Sequence, residues 1–229
     1  MTNKFSNKLP KAVIFDWDNT LVDSWPLIHF AINETMKVVG GELWSLDRVK
    51  NHVHKSMRDI FPDIFGEKWR IAAEIYKKSY RSQHLEKMVL LPDALKLIDV
   101  LCQNNIPLFI ISNKIGDVVR IEADNLGLSN KFLKILGSGD ADFDKPHRAM
   151  VDLAFKDTNF DANKDLIWFV GDTITDMECA LNTNCQPILY GEGINVPEEL
   201  IARESKKNEK PLKWFKTHQN ILNELQNLD

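Results

Sequence analysis

Five short apolar runs punctuate the chain: AVIF at 12–15, PLFII at 107–111, KILGS at 134–138, LIWFV at 166–170 and QPILY at 186–190. A strand with one wet face would alternate polar and apolar residues. These runs do not, so each is predicted to be a strand covered on both faces, as in a parallel sheet. Between most of them the spacing becomes helical. Residues 92–104 carry Ala94, Leu95, Leu97, Ile98, Leu101 and Cys102 at helical intervals, with Pro92 suited to a first turn. Further helices are predicted over 115–126, closed by a left-handed Gly127, and over 147–156. Strands alternating with helices predict an α/β fold, doubly wound about a parallel sheet.

The alternation fails from Trp25 to about Met88, where only helical stretches are found: 26–39, 45–54, a short piece near 56–60, and 67–87. A block of this size exceeds the single helix of an ordinary crossover and predicts an inserted all-helical domain. The expected division is 1–24 with 90–229 as the α/β core and 25–89 as the insert, hinged near Ser24 and Leu90. The tail PLKWFKTHQNILNELQNLD is predicted to be helical, packing Leu212, Trp214, Phe215, Ile221, Leu222 and Leu225 on the core.

Composition narrows the function classes. At 229 residues and 44% hydrophobic content a sizeable core is available. A formal charge of -4 argues against a dedicated nucleic-acid binder, which needs clustered Lys and Arg in excess. No apolar run approaches the roughly 18 residues of a membrane span, and the N-terminal apolar stretch is too short for a signal peptide, so a cytosolic protein is expected. Cys102, Cys179 and Cys185 make no CxxC pair and read as free, buried thiols; the six His residues show no metal-binding spacing.

Ligands of an open α/β sheet bind outside the carboxyl ends of its strands. Four polar clusters follow the predicted strands: DWDNT (16–20), SNK (112–114), DKP (144–146) and GDTITD (171–176). Each alone is explained by turn or cap chemistry, since Asp, Asn, Ser and Thr favour both. Together they supply carboxylates, a hydroxyl, an amide and a lysine, an inventory suited to a hard divalent cation beside a phosphate.

DWDNT, Ser112, Lys145 and GDTITD, in this order after successive strands, resemble the motifs of the haloacid dehalogenase-like superfamily. The resemblance covers about 10–195 and the position of the helical insert, which would be the family's cap. It implies Asp16 as nucleophile, forming an aspartyl phosphate, and Asp18 as general acid and base. Mg2+ would be held by Asp16, Asp172 and the main-chain carbonyl of Asp18, with Asp176 acting through water or orienting other ligands. Ser112 and the Asn113 region would donate to phosphoryl oxygens, and Lys145 would neutralise charge. The like charges of Asp16 and Asp18 become tolerable beside a dication and Lys145. Trp17 is expected to face the opposite way, and Asn19, where the family commonly has Gly, to tolerate left-handed geometry.

Asp18 favours phosphate ester hydrolysis over dehalogenation. The insert and the LVDS and SNK segments look closer to phosphoglycolate phosphatases than to β-phosphoglucomutases, in which a cap-hinge His is expected where this chain has Ile28 beside His29. The expected substrate is a small phosphorylated metabolite, 2-phosphoglycolate first, with a sugar phosphomutase, a nucleotidase and a non-catalytic phosphate- or metal-binding module as alternatives. Arg48, His52, His54, Lys55 and Arg58 are candidates for reading a substrate carboxylate or second phosphate, or form a solvated helix face. Oligomeric state is not encoded in any of these patterns.

Overall fold

A computed structural model describes residues 8–53, 56–194, 196–197 and 211–228. The chain starts with β1 (Ala12–Phe15) and a short β2 (Val22–Asp23). Five helices follow, α1 (Trp25–Val39), α2 (Leu46–His52), α3 (Met57–Phe65), α4 (Trp69–Arg81) and α5 (His84–Lys87), and then β3 (Val89–Leu90). The remainder alternates: α6 (Ala94–Gln103), β4 (Leu108–Ile115), α7 (Gly116–Asn125), β5 (Lys134–Ser138), α8 (Ala149–Phe155), β6 (Ile167–Thr173), α9 (Ile174–Asn182), β7 (Gln186–Ile194), β8 (Lys213–Phe215) and α10 (His218–Gln226).

Six strands form one sheet in the order β5-β4-β1-β6-β7-β8, and every neighbouring pair is parallel. The chain is therefore α/β and doubly wound, with helices on both faces. The residues of β1 show why its sequence is unbroken by polar positions. Val13 and Phe15 enter one apolar cluster, with Leu97, Val119 and Ile221 from α6, α7 and α10. Ala12 and Ile14 enter another, with Met150, Ala154 and Cys179 from α8 and α9. Both faces of the strand are covered, so both must be apolar.

The first cluster also runs into the helical insert, joining Phe15 and Trp17 to Ile28, Ile32, Phe61 and Ala72. Where the chain passes between sheet and insert, β2 and β3 pair antiparallel, Val22 with Leu90 and Asp23 with Val89. Two-residue strands carry no detectable period, and this pair is absent from the expectations above. The stretch expected as one helix over 67–87 breaks at Ser82 and Gln83 into α4 and α5.

The tail departs further from expectation. Lys213–Phe215 is a strand, pairing Ile188 with Lys213 and Tyr190 with Phe215, and only His218–Gln226 is helical. Thr217 separates them as an N-cap whose side chain accepts from the Asn220 amide. Leu212, Trp214 and Phe215 thus mimic a helical spacing that an edge strand uses. Among the cysteines, all free, Cys179 and Cys185 are buried and Cys102 is only partly so. No described helix is long and apolar enough to cross a membrane.

Phe109 on β4 is fully buried and meets Phe155 and Phe160 edge-on, with ring centroids 5.7 and 5.8 Å away. Phe109→Ala should lower unfolding free energy by about 3–5 kcal/mol, read as an earlier urea midpoint with the native far-ultraviolet circular dichroism retained.

Candidate active site

Four strand ends meet at the carboxyl edge of the sheet. Asp16 continues β1, its amide donating to the Val170 carbonyl at 2.9 Å. The chain then turns through Asn19, whose φ of 60° is the left-handed geometry expected of Asn there. Its side-chain oxygen accepts from the Ser24 amide at 3.1 Å, bracing the loop. Trp17 is fully buried.

Lys145 is the hub. Its Nζ donates to Asp16 Oδ1 at 2.7 Å and to Asp176 Oδ1 at 2.6 Å, and all three side chains are almost wholly buried. Asn113 secures the lysine's main chain, donating from Nδ2 to its carbonyl at 3.0 Å and accepting its amide on Oδ1 at 2.9 Å. The Asn113 side chain is therefore engaged in holding the lysine. Ser112 is buried, with its hydroxyl accepting from the Lys114 amide at 3.2 Å.

Asp172 ends β6, and its Oδ1 accepts from Thr20 Oγ1 at 3.3 Å. Asp176 lies in the first turn of α9, where its Oδ2 accepts from the amide and hydroxyl of Thr173 at 3.1 and 2.7 Å in a capping box. Gly171 is needed here because a Cβ at this position collides with the Cβ and Cγ of Asp176. Both carboxylate oxygens of Asp176 are occupied, as suits an orienting role.

Three carboxylates share one ammonium in a water-poor setting, and their ionisation responds. Burial pushes the Asp16 carboxyl up to about 7, with Lys145 opposing and Asp176 and Asp18 adding to the rise. Burial, then Asp16 and Asp176, holds Asp172 well above the carboxylate range. Burial disfavours the charged Lys145, but Asp16 and Asp176 outweigh it and hold the lysine above its ordinary value. Carboxylate oxygens of Asp16, Asp172 and Asp176 lie within 4.8 Å of one another. An all-oxygen, negatively charged donor set of this span fits a hard dication such as Mg2+, whose charge would relieve their repulsion.

The Asp18 side chain bonds a second lysine. Its Oδ1 accepts from Ser24 Oγ and, at 2.5 Å, from Lys114 Nζ. Lys114 donates also to Tyr80 Oη at 2.5 Å and Glu122 Oε2 at 2.9 Å. Lys114 and Thr20 stand in the SNK and DWDNT motifs with no role expected of them, and Glu122 and Tyr80 lie outside every motif. The legible signal was Glu122 itself, an acid in register with the apolar Val118, Val119 and Ala123 of α7.

A cavity of about 190 Å³ opens over the carboxylates, floored by Asp16, Asp18, Ser112, Lys145 and Asp172. The insert supplies an apolar wall that includes Trp25, Ile28, Met57, Ile60, Phe61 and Tyr76. Of the cationic stretch, Arg58 lines this cavity, with its Nε 2.7 Å from the buried Asp144. Arg48 instead packs over the Trp44 ring at 4.5 Å and bonds Glu42, and His52 tilts against Trp44 at 5.1 Å. His54 and Lys55 lie outside the described residues.

A family model described as haloacid dehalogenase-like hydrolase matches residues 13–190. The phosphoglycolate phosphatase of Aquifex aeolicus is 28% identical over 204 residues, spanning 85% of this chain and 93% of its own. That of Pseudomonas savastanoi pv. phaseolicola is 28% identical over 205 residues, 82% and 72% of the two chains. Among solved structures, a Had-superfamily hydrolase from Ehrlichia chaffeensis has 30% identity and a TM-score of 0.66, covering 96% of this chain and 98% of its own. A haloacid dehalogenase-like family protein from Streptococcus pneumoniae shares the fold at a TM-score of 0.78 and 23% identity, covering 93% and 96%.

The raised Asp16 pKa gives a signed prediction. Between its ordinary 3.8 and about 7 the folded protein retains a proton that the unfolded chain has released. The stabilisation from protonated Asp16 is therefore complete below 3.8 and lost as pH rises through about 7. Asp16→Asn mimics the protonated form. In chelator its Tm should climb relative to the parent protein's as pH increases across this window, and added Mg2+ should shrink the difference by stabilising the parent. Thermal melts of the two proteins at pH 5 and 8 measure it; a difference independent of pH would contradict the electrostatics.

Proposed function

The chain belongs to the haloacid dehalogenase-like hydrolases, and from that premise we propose that it is a Mg2+-dependent phosphomonoesterase of small phosphorylated metabolites, with 2-phosphoglycolate the first candidate. The observation that carries this reading is Lys145 bonded to both Asp16 and Asp176, with Asp172 beside them, under a cavity walled by the helical insert.

Asp16 would attack phosphorus through a carboxylate oxygen. The bond from phosphorus to the leaving oxygen breaks, and Asp18 delivers a proton to that oxygen, releasing the alcohol. Water then attacks the aspartyl phosphate at phosphorus, giving its proton to Asp18 and returning Asp16 as a carboxylate. Lys145 and the amides near Ser112 and Asn113 would hold the phosphoryl oxygens where charge accumulates. Asp16, Asp172 and the main-chain carbonyl of Asp18 would hold Mg2+, with Asp176 orienting the set, and the bound ion would supply further neutralisation of the phosphoryl group.

We take residues 25–89 as a cap domain that excludes water and selects the substrate. The names of the Aquifex and Pseudomonas relatives support phosphoglycolate. Arg81 is a cap-side cation on the cavity wall that would meet its carboxylate, whereas Arg58 on the same wall is already paired with Asp144. The mutase alternative is disfavoured because Ile28 lines the cavity while His29 bonds the Trp44 carbonyl at 2.8 Å. A cytosolic setting accords with a small, diffusible substrate.

With Mg2+, phosphate release from 4-nitrophenyl phosphate should fall by roughly 10³-fold or more in Asp16→Asn, with the fold intact by circular dichroism. A panel of 2-phosphoglycolate, hexose phosphates and nucleoside monophosphates, ranked by kcat/KM, should place 2-phosphoglycolate first. A hexose phosphate or nucleotide in front would replace the substrate assignment, and no release from any ester would favour a binding module.

A further inference from the structure

Lys114 lies beside the acid/base candidate but outside the Lys145 cluster. Its partly buried Nζ donates to oxygens from three separate parts of the chain: Asp18 in the loop after β1, Tyr80 on α4 and Glu122 on α7. Glu122 has no exposed surface and is held by two further groups, the Trp17 indole N–H at 2.7 Å and His84 Nδ1 on α5 at 2.9 Å. A carboxylate on the apolar face of α7 is costly unless its oxygens are hydrogen-bonded, and these three partners engage both of them. Burial disfavours the charge on Lys114, but Asp18 and Glu122 override it and hold the lysine above its ordinary pKa. Three oxygens therefore hold the ammonium in place.

This arrangement has a consequence for Asp18. Both of its described donors, Ser24 Oγ and Lys114 Nζ, converge on Oδ1. Oδ2 is left as the oxygen able to carry a transferable proton. Glu122 restrains the lysine's flexible stem, which would otherwise let the ammonium swing toward an incoming phosphate. Tyr80 and His84 belong to the helical insert, so the same anchor registers the insert against the catalytic loop.

We propose that Lys114, anchored by Glu122, is a positioning residue that presents one carboxyl oxygen of Asp18 to the leaving group when the helical insert is seated. The inference rests on the phosphomonoesterase reading above. Lys114 neither gains nor loses a proton in the step; the proton passes from Asp18 to the ester oxygen as the bond to phosphorus breaks.

Protonation of the leaving oxygen matters little for a good leaving group and greatly for a poor one, which separates positioning from general damage. The test compares kcat, with Mg2+, across substituted phenyl phosphates from 4-nitrophenyl to 4-methylphenyl. Lys114→Met should lose at least about tenfold more activity on 4-methylphenyl than on 4-nitrophenyl phosphate, steepening the dependence of rate on leaving-group basicity. An equal loss on all esters, at unchanged slope, would overturn the proposal. If Lys114→Met does not fold, Tyr80→Phe, which removes one of the three oxygens that fix Nζ, carries the same comparison. A several-fold excess loss on the poor leaving group supports the proposal, and no excess overturns it. Failure of the parent protein to hydrolyse any of these esters would instead sink the phosphomonoesterase reading.

Discussion

A single ammonium group, Lys145 Nζ, bridges two buried carboxylates that come from opposite ends of the core sequence, Asp16 after β1 and Asp176 in α9. Breaking such a bridge from one side leaves an uncompensated charge where water cannot reach, a penalty of about 3–5 kcal/mol. The parallel sheet makes the bridge possible, since β4, β1 and β6 are adjacent and all end at the same edge. The site therefore depends on strand order as much as on its residues.

The bridge is incomplete as electrostatics. Asp172 adds a third carboxylate within reach of Asp16 and Asp176, and its hydroxyl partner Thr20 is 3.3 Å away. One cation for three acids leaves protons or a metal to supply the rest, which is why burial drives Asp16 and Asp172 upward. Around this cluster the chain spends its small and amide residues on precision. Gly171 gives Asp176 its space, and Asn113 grips the backbone of Lys145 from both sides.

The central sheet was legible because strands buried on both faces cannot hide among polar residues, and the four polar clusters were legible because three follow such a run directly and DKP follows one after five residues. Short elements were not. The β2–β3 pair has too few residues for any period, and β8 places Trp214 and Phe215 where a helix continuing to Leu225 would also put them. The site was partly legible for a related reason. Asp16, Lys145, Asp172 and Asp176 announce themselves by position after strands, whereas Glu122 reaches its partners only through the packing of α7 against Trp17 and α5. The cationic stretch divides: Arg48 and His52 follow the pitch of α2, which turns them to Trp44, and Arg58, one helix on, meets the cavity.

In the proposed mechanism Asp16 is the oxygen nucleophile, held by Lys145 and aided by a dication. A crystal structure with Mg2+ and beryllium trifluoride, a mimic of the phosphoryl group, tests this at atomic level. The predicted result is beryllium bonded to an Asp16 carboxylate oxygen, Lys145 and the Ser112 region on the fluorines, and Mg2+ between Asp16 and Asp172. Beryllium on another residue, or Mg2+ bound away from these carboxylates, would contradict it.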